Sequence, residues 1–127
     1  MINIFSNLFN VLFFVKTMSQ EYPVDEFWKF NLRVRYILNA EKVTGTQKLI
    51  KLTVDLGNEK RTIVTGIADQ HDPSELAGKK MVFVTNLKPK KVFGIESKGM
   101  LLLAEDQNKQ TYLIMASDNI PLGSKFY

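Results

Sequence analysis

The chain has 127 residues and a mass of 14.6 kDa, enough for one domain with its own core. At 45% apolar and 24% charged residues, with 7 Gly and 4 Pro, it has the composition of a globular protein rather than a disordered or fibrous one. It has no cysteine and one histidine, His71. Disulfides, thiolate-bound metals, cysteine nucleophiles and polyhistidine sites are therefore excluded, and no metal or cofactor is expected.

The net charge is +4, and it is unevenly spread. Between Lys79 and Lys98 six lysines face one acid, Glu96, so this stretch carries +5 and the rest of the chain −1. Such a local field attracts phosphates, although a solvated lysine-rich surface has the same composition.

Residues 1–23 form an apolar leader. In Met1–Thr17 only Lys16 is charged. Asn3, Asn7 and Asn10 fall on one helical stripe, with Phe5, Leu8, Phe9, Leu12 and Phe13 opposite. This pattern describes an amphipathic helix that docks on a partner or on its own domain; alternatively the mature protein begins at Met18. The run is short and interrupted for a membrane span, and it lacks the flanks of a secretory signal, so no membrane association is expected.

The remainder, 24–127, reads as one domain. Residues 24–30 predict a short helix or turn, with Trp28 as a packing anchor. Asn31–Glu41 alternates, placing Leu32, Val34 and Tyr36 on one side and Arg33 and Arg35 on the other, as in a half-buried strand. Lys48–Leu56 alternates too, with Ile50, Leu52, Val54 and Leu56 inward, and Gly57-Asn58 turns the chain. Arg61–Gly66 predicts a third strand. In the segment around Asp72-Pro73-Ser74, Asp72 or Ser74 caps a one-turn helix that ends at Gly78. Met81–Thr85 reads as a buried strand and Asn86–Ser97 as a lysine-rich loop pinned by Pro89 and Gly94. Met100–Glu105 and Thr111–Met115 read as a hairpin. The expected class is all-β with short helices, a five-stranded barrel of oligonucleotide-binding type; an SH3-like barrel shares the pattern.

Catalytic signatures are missing. There is no glycine-rich phosphate loop, no GxSxG and no HExxH. His71 lies between Asp69 and Asp72, which marks a turn residue more often than a base. Binding is therefore the expected class, not catalysis.

The stretch Asn86-Leu87-Lys88-Pro89-Lys90-Lys91-Val92-Phe93-Gly94-Ile95-Glu96-Ser97-Lys98-Gly99-Met100-Leu101 resembles the signature of the tRNA-binding domain family. This family includes the C-terminal domain of methionyl-tRNA synthetases and the free-standing archaeal β subunit. Leu32-Arg33-Val34, Lys48-Leu49, Val54-Asp55-Leu56-Gly57 and Arg61–Ile67 match in the same order. Asn31 stands where the family has Asp, Arg35 where it has Gly, and Val43–Thr46 replaces its His-Pro-x-Ala loop.

The resemblance implies an oligonucleotide-binding barrel with a C-terminal extension, from about residue 107, that forms a homodimer. It also implies a tRNA-contacting set of Asn86, Lys88, Ser97 and Met100, with Arg33 and Lys48 on the same barrel face. Charge adds Lys90, Lys91 and Lys98. Pro89 restricts the backbone, so the lysines lose less freedom on meeting phosphates. Asn86 and Ser97 offer directional hydrogen bonds to a base edge or a 2′-hydroxyl, and Met100 offers a soft apolar contact. Structural alternatives stand beside these: Ser97 as a turn cap and Met100 as core; Phe93 reads as a hydrophobic plug rather than a stacking platform.

The expected function is a cytoplasmic, non-catalytic tRNA-binding module, the β subunit or appended domain that delivers tRNA to methionyl-tRNA synthetase. The alternative is a peptide- or protein-binding relative of the secretion-chaperone type.

Overall fold

A computed structural model describes residues 20–127; the leader helix expected over 1–17 lies outside the described residues. The described chain begins with helix α1 (Val24–Trp28) and continues through strands β1 (Leu32–Lys42), β2 (Ile50–Asp55) and β3 (Lys60–Thr65). A 3-10 turn (Pro73–Glu75) precedes β4 (Lys80–Val84), β5 (Lys90–Val92), β6 (Ile95–Ser97), β7 (Met100–Leu101), β8 (Leu103–Glu105) and β9 (Thr111–Leu113).

The main sheet has the order β3-β2-β1-β4-β7 and every pairing in it is antiparallel. Its outer edges are brought together after β6, where Lys98 N–H donates to Thr62 O at 2.9 Å. The result is the expected five-stranded, nearly closed barrel.

Strict alternation produces this core. In β2, Ile50, Leu52 and Val54 are buried and the residues between them half-buried. Ile37, Ile63, Leu76, Met81 and Phe83 complete a fully enclosed centre. Each such side chain contributes about 1.5–3 kcal/mol by leaving water. In β4 Met81 and Phe83 enter this core, whereas Val82 and Val84 pack with Leu32 in a second cluster. That two-sided burial explains why β4 reads as a continuous apolar run rather than an alternating one.

β1 is an interior strand with β2 and β4 as neighbours, and its ladder with β2 shifts register between Ile37 and Asn39. Its Tyr36–Lys42 half pairs with β2, on both sides of that shift, and its Leu32–Tyr36 half pairs with β4. The edge left free in the first half is filled by the C-terminal tail. Gly123 N–H donates to Val34 O, Val34 N–H to Ser124 O, and Phe126 N–H to Leu32 O, at 2.8–3.0 Å. The extension thus returns to its own barrel as an added strand.

The 3-10 turn carries the predicted cap. Asp72 accepts from Ser74 N–H at 2.9 Å while Glu75 accepts from Asp72 N–H at 2.6 Å, a reciprocal capping box.

Two expectations need correction. Asn86–Ser97 is not an irregular loop: Lys90, Lys91 and Val92 pair with Ser97, Glu96 and Ile95 in a β-hairpin. Met100–Glu105 is not one strand. Met100–Leu101 pairs with β4, and Leu103–Glu105 turns away to pair with β9. Met100–Ala104 is apolar throughout, so only the choice of partner strand separates the two pieces.

Candidate nucleic-acid interface

The lysine-rich stretch leaves the barrel at the end of β4 and returns at β7. Its two ends are tied down and its middle projects. At the near end Asn86 Nδ2 donates to Lys29 O and Asn86 Oδ1 accepts from Asn31 N–H, both at 2.6 Å. At the far end Ser97 is buried, with 6% of its surface accessible. Its Oγ accepts from Val64 N–H at 3.0 Å and donates to Gly99 O at 3.4 Å. Gly99 is needed here: its φ is +144°, and a Cβ would stand 2.9 Å from Ile63 Cδ1 and 3.0 Å from Val84 O.

Between these ties the β5–β6 hairpin turns through Phe93 and Gly94, both with positive φ (50° and 78°). A two-residue connection of this kind has the form of a type I′ turn, whose twist matches the flanking strands. Cross-strand pairs share a face, so Lys91 and Glu96 lie on one side and Lys90, Val92, Ile95 and Ser97 on the other, where Ser97 is buried and Lys90, at the hairpin's open end, stays exposed.

Lys88, Lys90, Lys91 and Lys98 are exposed. Among the described residues Lys88, Lys90 and Lys91 make no ion pair or side-chain hydrogen bond. Lys98 approaches Glu96 at 3.9 Å, with both side chains more than half exposed. Such a pair contributes under about 1 kcal/mol and leaves the ammonium available. The hairpin therefore presents unneutralised positive charge on a backbone fixed at both ends.

The predicted site residues thus separate into two groups. Lys88, Lys90, Lys91, Lys98 and Met100 face solvent, Met100 with 47% accessible. Asn86, Arg33 and Ser97 make hydrogen bonds within the chain; of the three Asn86 is exposed, Arg33 half-buried and Ser97 buried. Arg33 does not join an open face with the lysines: its Nε donates to Asn31 Oδ1 at 2.7 Å and its guanidinium to Gly123 O at 2.9 Å. It fastens the tail. Lys48 is exposed at the end of the 43–49 loop. That loop reaches the hairpin at Gly45, where a Cβ would lie 3.5 Å from Phe93 Cε1 and Cζ. Beside this contact a cleft of about 200 Å³ is lined by Glu41, Lys42, Val43, Thr44, Lys51 and Ile95.

Sequence reasoning passed over Arg61. Its guanidinium donates to Thr85 O at 2.6 Å and approaches Lys98 O at 3.5 Å, while its Nε donates to Glu59 at 2.6 Å. One side chain thus spans both ends of the lysine stretch. The signal was present: Arg61 alternates with Ile63 and Thr65, both buried, so a cation occupies an inward register position of β3. Arg35 also turns inward and donates to Leu56 O at 3.2 Å. Burial, and then the neighbouring charges of Arg33 and Arg61, lower its pKa; Asp55 opposes this. Among the described residues no group of three or more metal-ligating side chains comes together, and no helix is long and apolar enough to cross a membrane.

Comparison with known proteins agrees with this geometry. The tRNA binding domain family matches residues 32–125. The methionine–tRNA ligase of Thermotoga maritima is 46% identical over 110 residues, covering 84% of this chain and 18% of that protein. That of Methanococcus aeolicus is 48% identical over 101 residues, covering 80% and 15%. The chain therefore spans less than a fifth of these relatives. Among solved structures, a MetRS-related protein from Pyrococcus horikoshii superposes with a TM-score of 0.83 at 56% identity, covering 85% of this chain and 99% of that one. The chaperone CsaA of Bacillus anthracis shares the fold, with a TM-score of 0.75 at 24% identity over 85% of this chain and all of that one. A barrel whose tethered, proline-stiffened hairpin carries the signature lysines places the chain in the tRNA binding domain family, as a non-catalytic module related to part of methionyl-tRNA synthetase.

Proposed function

We propose that this protein binds tRNA through the exposed lysines of the β5–β6 hairpin and its flanks and delivers it to a methionyl-tRNA synthetase catalytic chain, acting as a β subunit or appended domain in the cytoplasm. The observation that carries this reading is the unpaired set Lys88, Lys90 and Lys91 on a hairpin held at both ends. Lys98 and Met100 extend the contact surface and Lys48 borders it. Asn86, Ser97 and Arg33 serve the site by holding the backbone.

The chemistry is electrostatic recognition of a folded polyanion, and no bond is made or broken. A tethered module of this kind raises the local tRNA concentration at a catalytic partner. If about four phosphates are neutralised, affinity falls by roughly two decades between 50 and 200 mM salt. Titration of tRNA at several salt concentrations tests this; binding indifferent to salt refutes it.

The same reading includes a homodimer. Phe27, Trp28 and Phe30 near α1, and Leu122, Phe126 and Tyr127 on the tail, are exposed. The tail lies beside the start of β1, so these groups sit near one end of the barrel. Light scattering across a concentration series tests it, and a concentration-independent monomer refutes it. The alternative, a protein-binding relative of the chaperone type, predicts suppression of aggregation of denatured proteins without tRNA affinity.

A further inference from the structure

The tip of the hairpin has an unusual residue. A two-residue turn with positive φ at both positions favours Asn-Gly or Asp-Gly, because bulky side chains are strained there. Here the first position is Phe93, at φ 50°. Burial does not compensate: Phe93 is 63% exposed, and Cε1 and Cζ of its ring lie beside Gly45. The chain thus tolerates both backbone strain and an aromatic group in water, at a point adjoining the cleft lined by Glu41, Lys42, Val43, Thr44, Lys51 and Ile95, in which Lys51 pairs with Glu41 at 3.1 Å. A strained residue left this exposed points to a functional constraint.

Its surroundings define the ligand. Lys90 and Lys91 stand on the strand leading into the turn, so phosphates are drawn to the same place. An aromatic face among cations suits an unpaired nucleobase, whose phosphate meets the lysines while its ring stacks. An apolar protein partner would meet uncompensated ammonium groups instead.

We infer that Phe93 is a stacking platform for one unpaired base of the bound RNA, seated on the solvent-exposed side of the ring at the hairpin tip. This rests on the proposed tRNA binding and deepens it: the hairpin contacts a base as well as the outline of the phosphate backbone.

The test uses tRNA binding by the full chain with Phe93→Asn, Phe93→Leu and Phe93→Tyr, beside Lys90→Ala. Phe93→Asn relieves the strained turn, so its melting temperature stays equal to or above that of the parent. Its tRNA affinity falls roughly 5- to 150-fold, the range for loss of one base–aromatic stack. The salt slope stays unchanged, because no phosphate contact is removed. Phe93→Leu keeps the apolar bulk but loses the π-face and weakens binding comparably; Phe93→Tyr retains it. Lys90→Ala lowers the salt slope by about one. If Phe93→Asn or Phe93→Leu binds like the parent while Lys90→Ala does not, the stacking platform is refuted and tRNA binding stands. If the parent itself fails to bind tRNA, both fall.

Discussion

The lysine hairpin and the C-terminal extension are both excursions from one barrel, held down in different ways. The hairpin is fixed by side chains at its ends: Asn86 on Lys29 and Asn31, Ser97 on Val64, and Arg61 across Thr85 and Lys98. Its backbone makes its own two-stranded sheet and its charges stay free. The extension is fixed by main-chain hydrogen bonds to β1 and leaves Leu122, Phe126 and Tyr127 in solvent. One region offers cations on a rigid frame and the other offers apolar surface. A polyanion is matched to the first, a second protein surface to the second.

Removing the charge from the first region has the largest expected effect. Lys88→Ala, Lys90→Ala and Lys91→Ala combined lower the logarithmic salt slope of tRNA binding by about two to three. Affinity drops by at least a decade at low salt, with the thermal midpoint unchanged, because these side chains have no internal partners. A loss of stability instead of affinity would erase the contrast.

Cutting a tie tests the frame. Gly99→Ala forces a Cβ against Ile63 and the Val84 carbonyl in a backbone region that disfavours side chains. The expected destabilisation is about 2–3 kcal/mol in urea denaturation. Asn86→Ala removes two exposed hydrogen bonds, to Asn31 N–H and Lys29 O, and costs about 1 kcal/mol. Both weaken tRNA binding without altering the salt slope, since the phosphate contacts remain in number.

Phe126→Ser with Leu122→Ser addresses the second region. Light scattering should report a shift to monomer, whereas the salt slope per chain stays that of the parent. A changed slope would merge the two surfaces into one.

The smallest effect concerns the caps. Hydrogen bonds from Ser74 N–H to Asp72, and from Gln110 N–H to Asp106, hold both carboxyls below the ordinary range. Their stabilisation is complete above the unfolded value of about 4 and is lost as pH falls through the lower folded values. Thermal midpoints should therefore decline below about pH 4, and less steeply in Asp72→Asn with Asp106→Asn.

The main barrel was legible because period-two alternation in β2 and β3 reports one wet and one dry face, and β4's unbroken apolar run reports two dry ones. The Asp72-Pro73 cap and the Gly57 turn were legible because few residues fit them. The lysine cluster was visible as charge. Which of its neighbours were free was not: Asn86, Ser97 and Arg33 have polar side chains in the signature, yet their partners lie 33 to 90 residues away.

Sequence by itself determined the barrel class, its strand periodicity and the position of the basic segment, because these depend on residue type and spacing along the chain. The tertiary structure alone decided that the basic segment is a hairpin, that Arg61 bridges its ends, that the tail completes β1's edge and that Phe93 stands in water. Each of these is set by which distant backbone groups satisfy one another, and hydrogen-bond partners across a closed barrel leave no periodic mark on the chain that supplies them.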